Sequence, residues 1–273
     1  MKLKWTYLAL TYLIAITGCE RKQLENSAPS SRKFVVKTIA WPEIGIQASI
    51  DYFPDTTIKQ ILYNGGPSRT EKNFTYDRQR LTGISSPQSL SINKFEYDVN
   101  GRPSKLHRLI NDAAIPRPFR TTEFRYGSSG QLTSLDTYDV SQTVRSLIST
   151  SEYSYHNSLP REIRTKLANG KQYLTIIEDY SARVSYDPLI FLGESSDPLS
   201  HIFNLPLLEY LAKREKLPTV VRSFMIDQVG ATVLEFDYTS SFKVSKNRID
   251  EQNSILTDHR TTAVNKTKVM FGY

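Results

Sequence analysis

The chain has one cysteine in 273 residues, Cys19. No intramolecular disulfide can form, so the fold must hold on packing and hydrogen bonds alone. Long apolar runs are scarce as well. The one charge-free stretch, Trp5 to Gly18, is shorter than the roughly 20 residues a helix needs to cross about 30 Å of hydrocarbon. Motifs that carry chemistry are missing too. The histidines, His107, His156, His201 and His259, stand far apart with no metal-ligand spacing, so no metal or other cofactor is expected. There is no G-x-S-x-G nucleophile turn and no glycine-rich phosphate loop, and Gly65-Gly66-Pro67-Ser68 reads as a hairpin turn. Adjacent carboxylates such as Glu178-Asp179 point to opposite faces of a strand and cannot flank one glycosidic bond. Basic residues outnumber acidic ones by 35 to 28, a net charge of +7. They are scattered, which argues against the concentrated patch that nucleic acid requires.

What is present begins at the N-terminus. Lys2 and Lys4 precede the apolar run in the manner of a secretory n-region and h-region. The run ends in Ile16-Thr17-Gly18-Cys19, which resembles the lipobox of bacterial lipoprotein precursors. The resemblance implies recognition of Ile16, Thr17 and Gly18 by a signal peptidase, cleavage before Cys19 and a lipid on the Cys19 thiol. It further implies a membrane as partner and the cell envelope, at the outer membrane, as location. Each acyl methylene buried in the bilayer contributes about 0.8 kcal/mol, so several chains together make a lasting anchor. Loss of the two lysines Lys2 and Lys4 takes the net charge from +7 to +5. Residues 20–33 are polar and are expected to form a flexible tether. The expected organisation is therefore a signal peptide over 1–18, a tether over 19–33 and one β-rich domain over 34–273.

The domain carries an irregular repeat, aligned on one tyrosine. Phe74-Thr-Tyr76-Asp77, Phe95-Glu-Tyr97-Asp98, Phe124-Arg-Tyr126-Gly127 and Tyr153-Ser-Tyr155-His156 are its clear copies. Weaker ones are expected at Tyr52, at Val184-Ser-Tyr186-Asp187 and at Glu235-Phe236-Asp237-Tyr238. Aromatics two apart share one face of a strand. The following Asp suits the first position of a turn, and a glycine such as Gly101 or Gly130 suits its end. Leu and Ile positions downstream return to the aromatic face, so each unit reads as a hairpin. The expectation is a mostly β fold, an antiparallel meander making one large curved or twisted sheet. Between the repeats and the closing strands, residues 198–216 read as a short helical insertion covering the sheet. Asn204 suits its N-cap, Pro206 its first turn and Pro218 its end.

The units Phe95 to Leu106 and Phe74 to Ile84 resemble YD repeats, and the whole arrangement resembles a group of uncharacterised Bacteroidota lipoproteins. That resemblance implies a lipobox, a polar tether, YD-like hairpins, an Asp-Pro insertion such as Asp197-Pro198 and closing strands. It brings no activity and no catalytic residue. The expected role is non-catalytic binding or scaffolding at the membrane, with a protein or glycan as the partner. Alternatives are a carrier of an apolar ligand in a half-barrel and a glycan-active hydrolase. An outer-membrane barrel is disfavoured by the lipobox and by the polar strand faces. Sixteen tyrosines, 12 phenylalanines and 2 tryptophans are read mainly as sheet packing, with Trp41 the best candidate for a stacking role.

Overall fold

The computed structural model describes residues 35–65, 70–88, 91–110, 116–141, 144–184 and 216–273. Its strands are Thr38–Trp41 (β1), Ile46–Tyr52 (β2), Ile58–Asn64 (β3), Thr70–Asp77 (β4), Arg80–Ser85 (β5), Ser91–Tyr97 (β6), Pro103–Ile110 (β7) and Arg117–Tyr126 (β8). They continue as Leu132–Val140 (β9), Arg145–His156 (β10), Leu159–Leu167 (β11), Gln172–Tyr180 (β12), Pro218–Ile226 (β13), Thr232–Ser245 (β14), Arg248–Asp258 (β15) and Ala263–Gly272 (β16). Each strand pairs antiparallel with the next, and β16 returns to β1, so the sheet closes into a barrel. Over the three residue pairs of β1 with β16, closure joins the two edges that an open meander would expose.

The expected open, curved sheet is thus corrected to a closed wall. Hairpins are local and were readable; the pairing of β1 with β16 joins the two ends of the domain and leaves no local trace. The half-barrel carrier falls with the open sheet. No α-helix occurs among the described residues, whose only helical turn is a 3-10 turn at Pro42–Ile44. The helical insertion expected over 198–216 lies, except for its last residue, outside the described residues. Val184 and Leu217, on either side of residues 185–216, both belong to the buried core.

Strand alternation sorts side chains between the two faces of the wall. On a convex face side chains splay into solvent, and on a concave one they converge, so the buried face is the interior. It carries Ile39, Ile50, Ile61, Phe74, Phe95, Leu106, Phe124, Leu135, Tyr153, Ile163, Ile177, Val221, Phe236 and Phe271 in one continuous cluster. A circular ring of this many strands leaves an aqueous lumen. Here Ile39, Ile61, Ile163, Ile177 and Val221 are under 2 % exposed, so the interior is filled at their level.

The repeat explains how the wall is stitched together. In the seven pairings of an even strand with the next odd one, the register shifts near the end of the even strand. Each shift places one extra residue in the odd strand: Lys59, Thr82, Ser104, Thr133, Arg161, Thr219 and Asp250. The even strand meets that bulge with the repeat tyrosine or, in β14, with Val244. The tyrosine hydroxyl then reaches back to the preceding hairpin. Tyr97 donates to the Leu81 carbonyl at 2.5 Å, Tyr126 to Pro103 at 2.8 Å, Tyr155 to Leu132 at 2.7 Å and Tyr180 to Pro160 at 2.5 Å. Leu81, Pro103, Leu132 and Pro160 are the residues that pair with the previous unit's tyrosine. Tyr52 bonds Val36 at 2.6 Å and Tyr273 bonds Ile249 at 2.8 Å in the same way. A bulge disrupts the ladder locally, and a phenol from the next hairpin supplies a donor there.

Candidate functional site

Two surfaces of the barrel can meet a ligand or partner, its interior and its outer wall. The interior is graded along the strands. At the end where the even strands finish lie the repeat tyrosines and most of the buried aromatic and aliphatic side chains, Phe236 and Tyr173 standing nearer the other end. Next comes a belt of paired hydroxyls. Thr122 and Thr137 stand 3.3 Å apart, Ser151 and Thr165 2.8 Å, and Thr175 and Ser223 3.2 Å, while Gln252 donates to Ser240 at 3.2 Å. Buried hydroxyls need such partners. Further along the same face Arg120 pairs with Asp139 at 3.1 Å, and Arg108 stands directly opposite Arg120 on the neighbouring strand. Loss of water around Arg108 and the charge of Arg120 both lower its pKa. Asp139 is 59 % exposed, so water reaches this level of the interior.

The outer wall is charged. Arg222 on β13 bridges Glu178 on β12 at 2.7 Å and Asp237 on β14 at 3.2 Å, and Asp237 continues to His259 at 2.8 Å. Lys268 and Glu251 pair across β16 and β15 at 3.0 Å. On the opposite arc Glu123 meets Arg145 at 2.9 Å, Asp136 meets Arg125 at 2.5 Å, and His107 lies 3.0 Å from both Glu96 and Thr121. Exposed pairs of this kind contribute about 0–1 kcal/mol each. Their importance is position, because they occupy the face that a membrane barrel presents to lipid as an apolar band about 25 Å tall.

The residues singled out from sequence fall into place unevenly. Tyr76, Tyr97, Tyr126 and Tyr155 come to one end of the barrel and pack against the core. Asp98 caps its turn as expected. Its carboxylate accepts the Asn100 and Arg102 backbone N–H groups, both at 2.9 Å, and Gly101 closes the turn at φ 74°. Gly130 does the same at φ 77°. Burial works against ionised Asp98, but the bonds and charge of Arg102 outweigh it and bring the pKa below the usual carboxylate value. Asp77 opens a different turn, in which Arg78 and Gln79 both take positive φ, 47° and 67°. Cys19, Ile16, Thr17 and Gly18 lie outside the described residues.

Sequence spacing missed several members of the ring. Tyr180 and Tyr273 play the repeat role, whereas Tyr238, which was aligned, lies deep within β14. The motif's arginine also has a use that sequence did not show. Arg102 lies over the Tyr126 ring at 4.4 Å and Arg248 over Tyr273 at 4.5 Å, so the arginine of one hairpin stacks on the next tyrosine. Trp41 packs beside Tyr63 with ring centroids 6.1 Å apart. Glu178 is engaged with Arg222, and among the described residues no three His, Cys, Asp or Glu side chains converge on a point that could hold a metal ion.

No protein-family model matches the chain, and no curated protein matches it significantly. Solved structures do. A porin-like protein from Bacteroides vulgatus ATCC 8482 is 12 % identical with a TM-score of 0.54, over 87 % of this chain and 98 % of its own. A porin-like protein from Bacteroides uniformis ATCC 8492 is 12 % identical with a TM-score of 0.55, over 87 % of this chain and 97 % of its own. The likeness is one of fold. It extends over nearly the whole of both neighbours, so the barrel is a complete architecture that other proteins also adopt.

Proposed function

We propose that this chain is a non-catalytic protein of the bacterial envelope, anchored at the outer membrane by a lipid on Cys19, whose barrel stands in water as a binding or scaffolding module. The observation that carries this reading is the row Glu178–Arg222–Asp237–His259 across the outer wall. Burying an arginine or lysine on the lipid face at the bilayer midplane costs about 2–4 kcal/mol each, which weighs against a wall built this way crossing the hydrocarbon. A separate attachment is then needed to keep the protein at a membrane, and the Ile16-Thr17-Gly18-Cys19 sequence offers one. The stitched hairpins support reading the units as YD repeats, used here to build a wall rather than to form a reaction centre. The porin-like description of the neighbours in fold fits envelope residence; the charged outer wall speaks against a pore.

Metabolic labelling with a radioactive fatty acid tests the anchor. The full chain should incorporate label and enter the detergent phase, and Cys19→Ala should do neither. Labelling that persists in Cys19→Ala, or membrane retention of that variant against alkaline carbonate, would overturn the reading.

A further inference from the structure

The barrel closes over only part of its height. β1 pairs with β16 through Thr38↔Gly272, Ile39↔Phe271 and Ala40↔Met270, and the ladder then stops at the 3-10 turn Pro42–Ile44, which stays close to β16 without pairing with it. β16 reaches back to Ala263. Among the described residues nothing pairs with residues 263–269 on the side away from β15. Exposure agrees: Ala263, Val264, Asn265 and Lys266 are exposed in succession, on both faces of the strand.

The direction of the free groups follows from the seam. The Lys37 amide donates to the Gly272 carbonyl at 2.7 Å, so the backbone groups of Gly272 point away from β15. The pairing of β16 with β15 runs without a bulge. By the period of two, Val264, Lys266 and Lys268 also aim their N–H and C=O groups at the open side. A row of such groups is a template for another strand.

We propose that this stretch of β16 is a docking edge for an extended, acidic segment of a partner protein, which adds to the wall as one more strand. Backbone hydrogen bonds would supply the affinity and alternate side chains the selection. Val264, Lys266 and Lys268 share the outer face there, presenting an aliphatic contact and two ammonium groups. Lys268 is met by Glu251 at 3.0 Å. The charge also decides against a second copy of this chain. Antiparallel self-pairing would bring lysines from both strands together along the same face, and like charges opposite each other are destabilising. Carboxylates at alternate positions match this face.

The test uses the full chain and a fluorescent peptide of about six residues in which glutamate alternates with valine, a usual strand length. Anisotropy should show saturable binding, and hydrogen exchange should slow at Val264, Lys266 and Lys268 when peptide is added. Val264→Pro removes an edge donor that makes no bond to β15, and it should weaken binding at least about tenfold. Lys266→Glu leaves the backbone intact and should lose the acidic peptide while gaining one with lysine in place of glutamate. It carries the test if the proline variant fails to fold. Absence of saturable binding, or affinity unchanged by both substitutions, overturns the proposal. So does a concentration-dependent dimer of the free protein that Val264→Pro or Lys266→Glu abolishes, which would make a second copy the occupant.

Discussion

Tyr126 serves two neighbours at once. Its hydroxyl donates to the Pro103 carbonyl at 2.8 Å, and its ring lies under the Arg102 guanidinium at 4.4 Å. Tyr126→Phe keeps the ring and removes the bond, and a typical intramolecular hydrogen bond contributes about 1 kcal/mol net. Urea unfolding should therefore show a loss of about that size. At the Arg78-Gln79 turn the opposite change is expected. Gln79 holds φ 67°, a conformation glycine adopts without strain, so Gln79→Gly should stabilise by about 0.5–1 kcal/mol, read as a higher melting temperature. The tyrosines also set an alkaline limit. Burial raises the hydroxyl pKa of Tyr126 and Tyr153 well above the ordinary 10.0 and that of Tyr273 to about 12. A raised folded-state pKa adds stability that is complete below the unfolded value and lost as pH rises through the folded one. Stability should hold up to about pH 10 and fall above it, with tyrosinate absorbance appearing together with loss of β circular dichroism.

At the scale of elements the hairpin is the unit, and the clearest copies were readable because they are local. Asp98 and Gly101 form a turn from four consecutive residues, and Phe95 and Tyr97 fall on one face by simple alternation. Tyr180 escaped because the register shifts twice around Asp179, which puts two residues rather than one between it and the last buried position, Ile177. In the last hairpin Val244 takes the tyrosine's place opposite Ile249. At the other end of the barrel, Asp227 and Gly230 make the same capped turn, preceded by Phe224 but with Ile226 where the repeat has its tyrosine. The seam is a short joint of three residue pairs. A Cβ added at Gly272 would fall on the Thr38 Oγ1 atom, whereas one added at Gly170 would meet nothing within 4 Å. Gly272→Ala should speed amide exchange at Ile39 and Ala40. Gly170→Ala, strained only at its own turn by φ 85°, should leave those amides unchanged.

For the whole molecule, what decides the environment is which face of the wall is apolar. The alternation of polar and apolar residues along the strands shows that each strand has one face of each kind, but not which of them points inward. Only closure shows that Phe74, Phe95, Phe124 and Phe271 face inward while Arg222, Glu178, Lys268 and Glu251 face out. β1 has four residues and no mark of its own, so nothing in the sequence announced that it would meet β16. The measurement that tests this arrangement most directly is made on residues 20–273, produced without the segment that ends at Gly18 and without Cys19. In water, with no detergent, this chain should be a monomeric, cooperatively unfolding β protein that leaves planar lipid bilayers electrically silent. Aggregation that only detergent relieves, or ion-conducting steps in the bilayer, would contradict a barrel whose charged wall faces water.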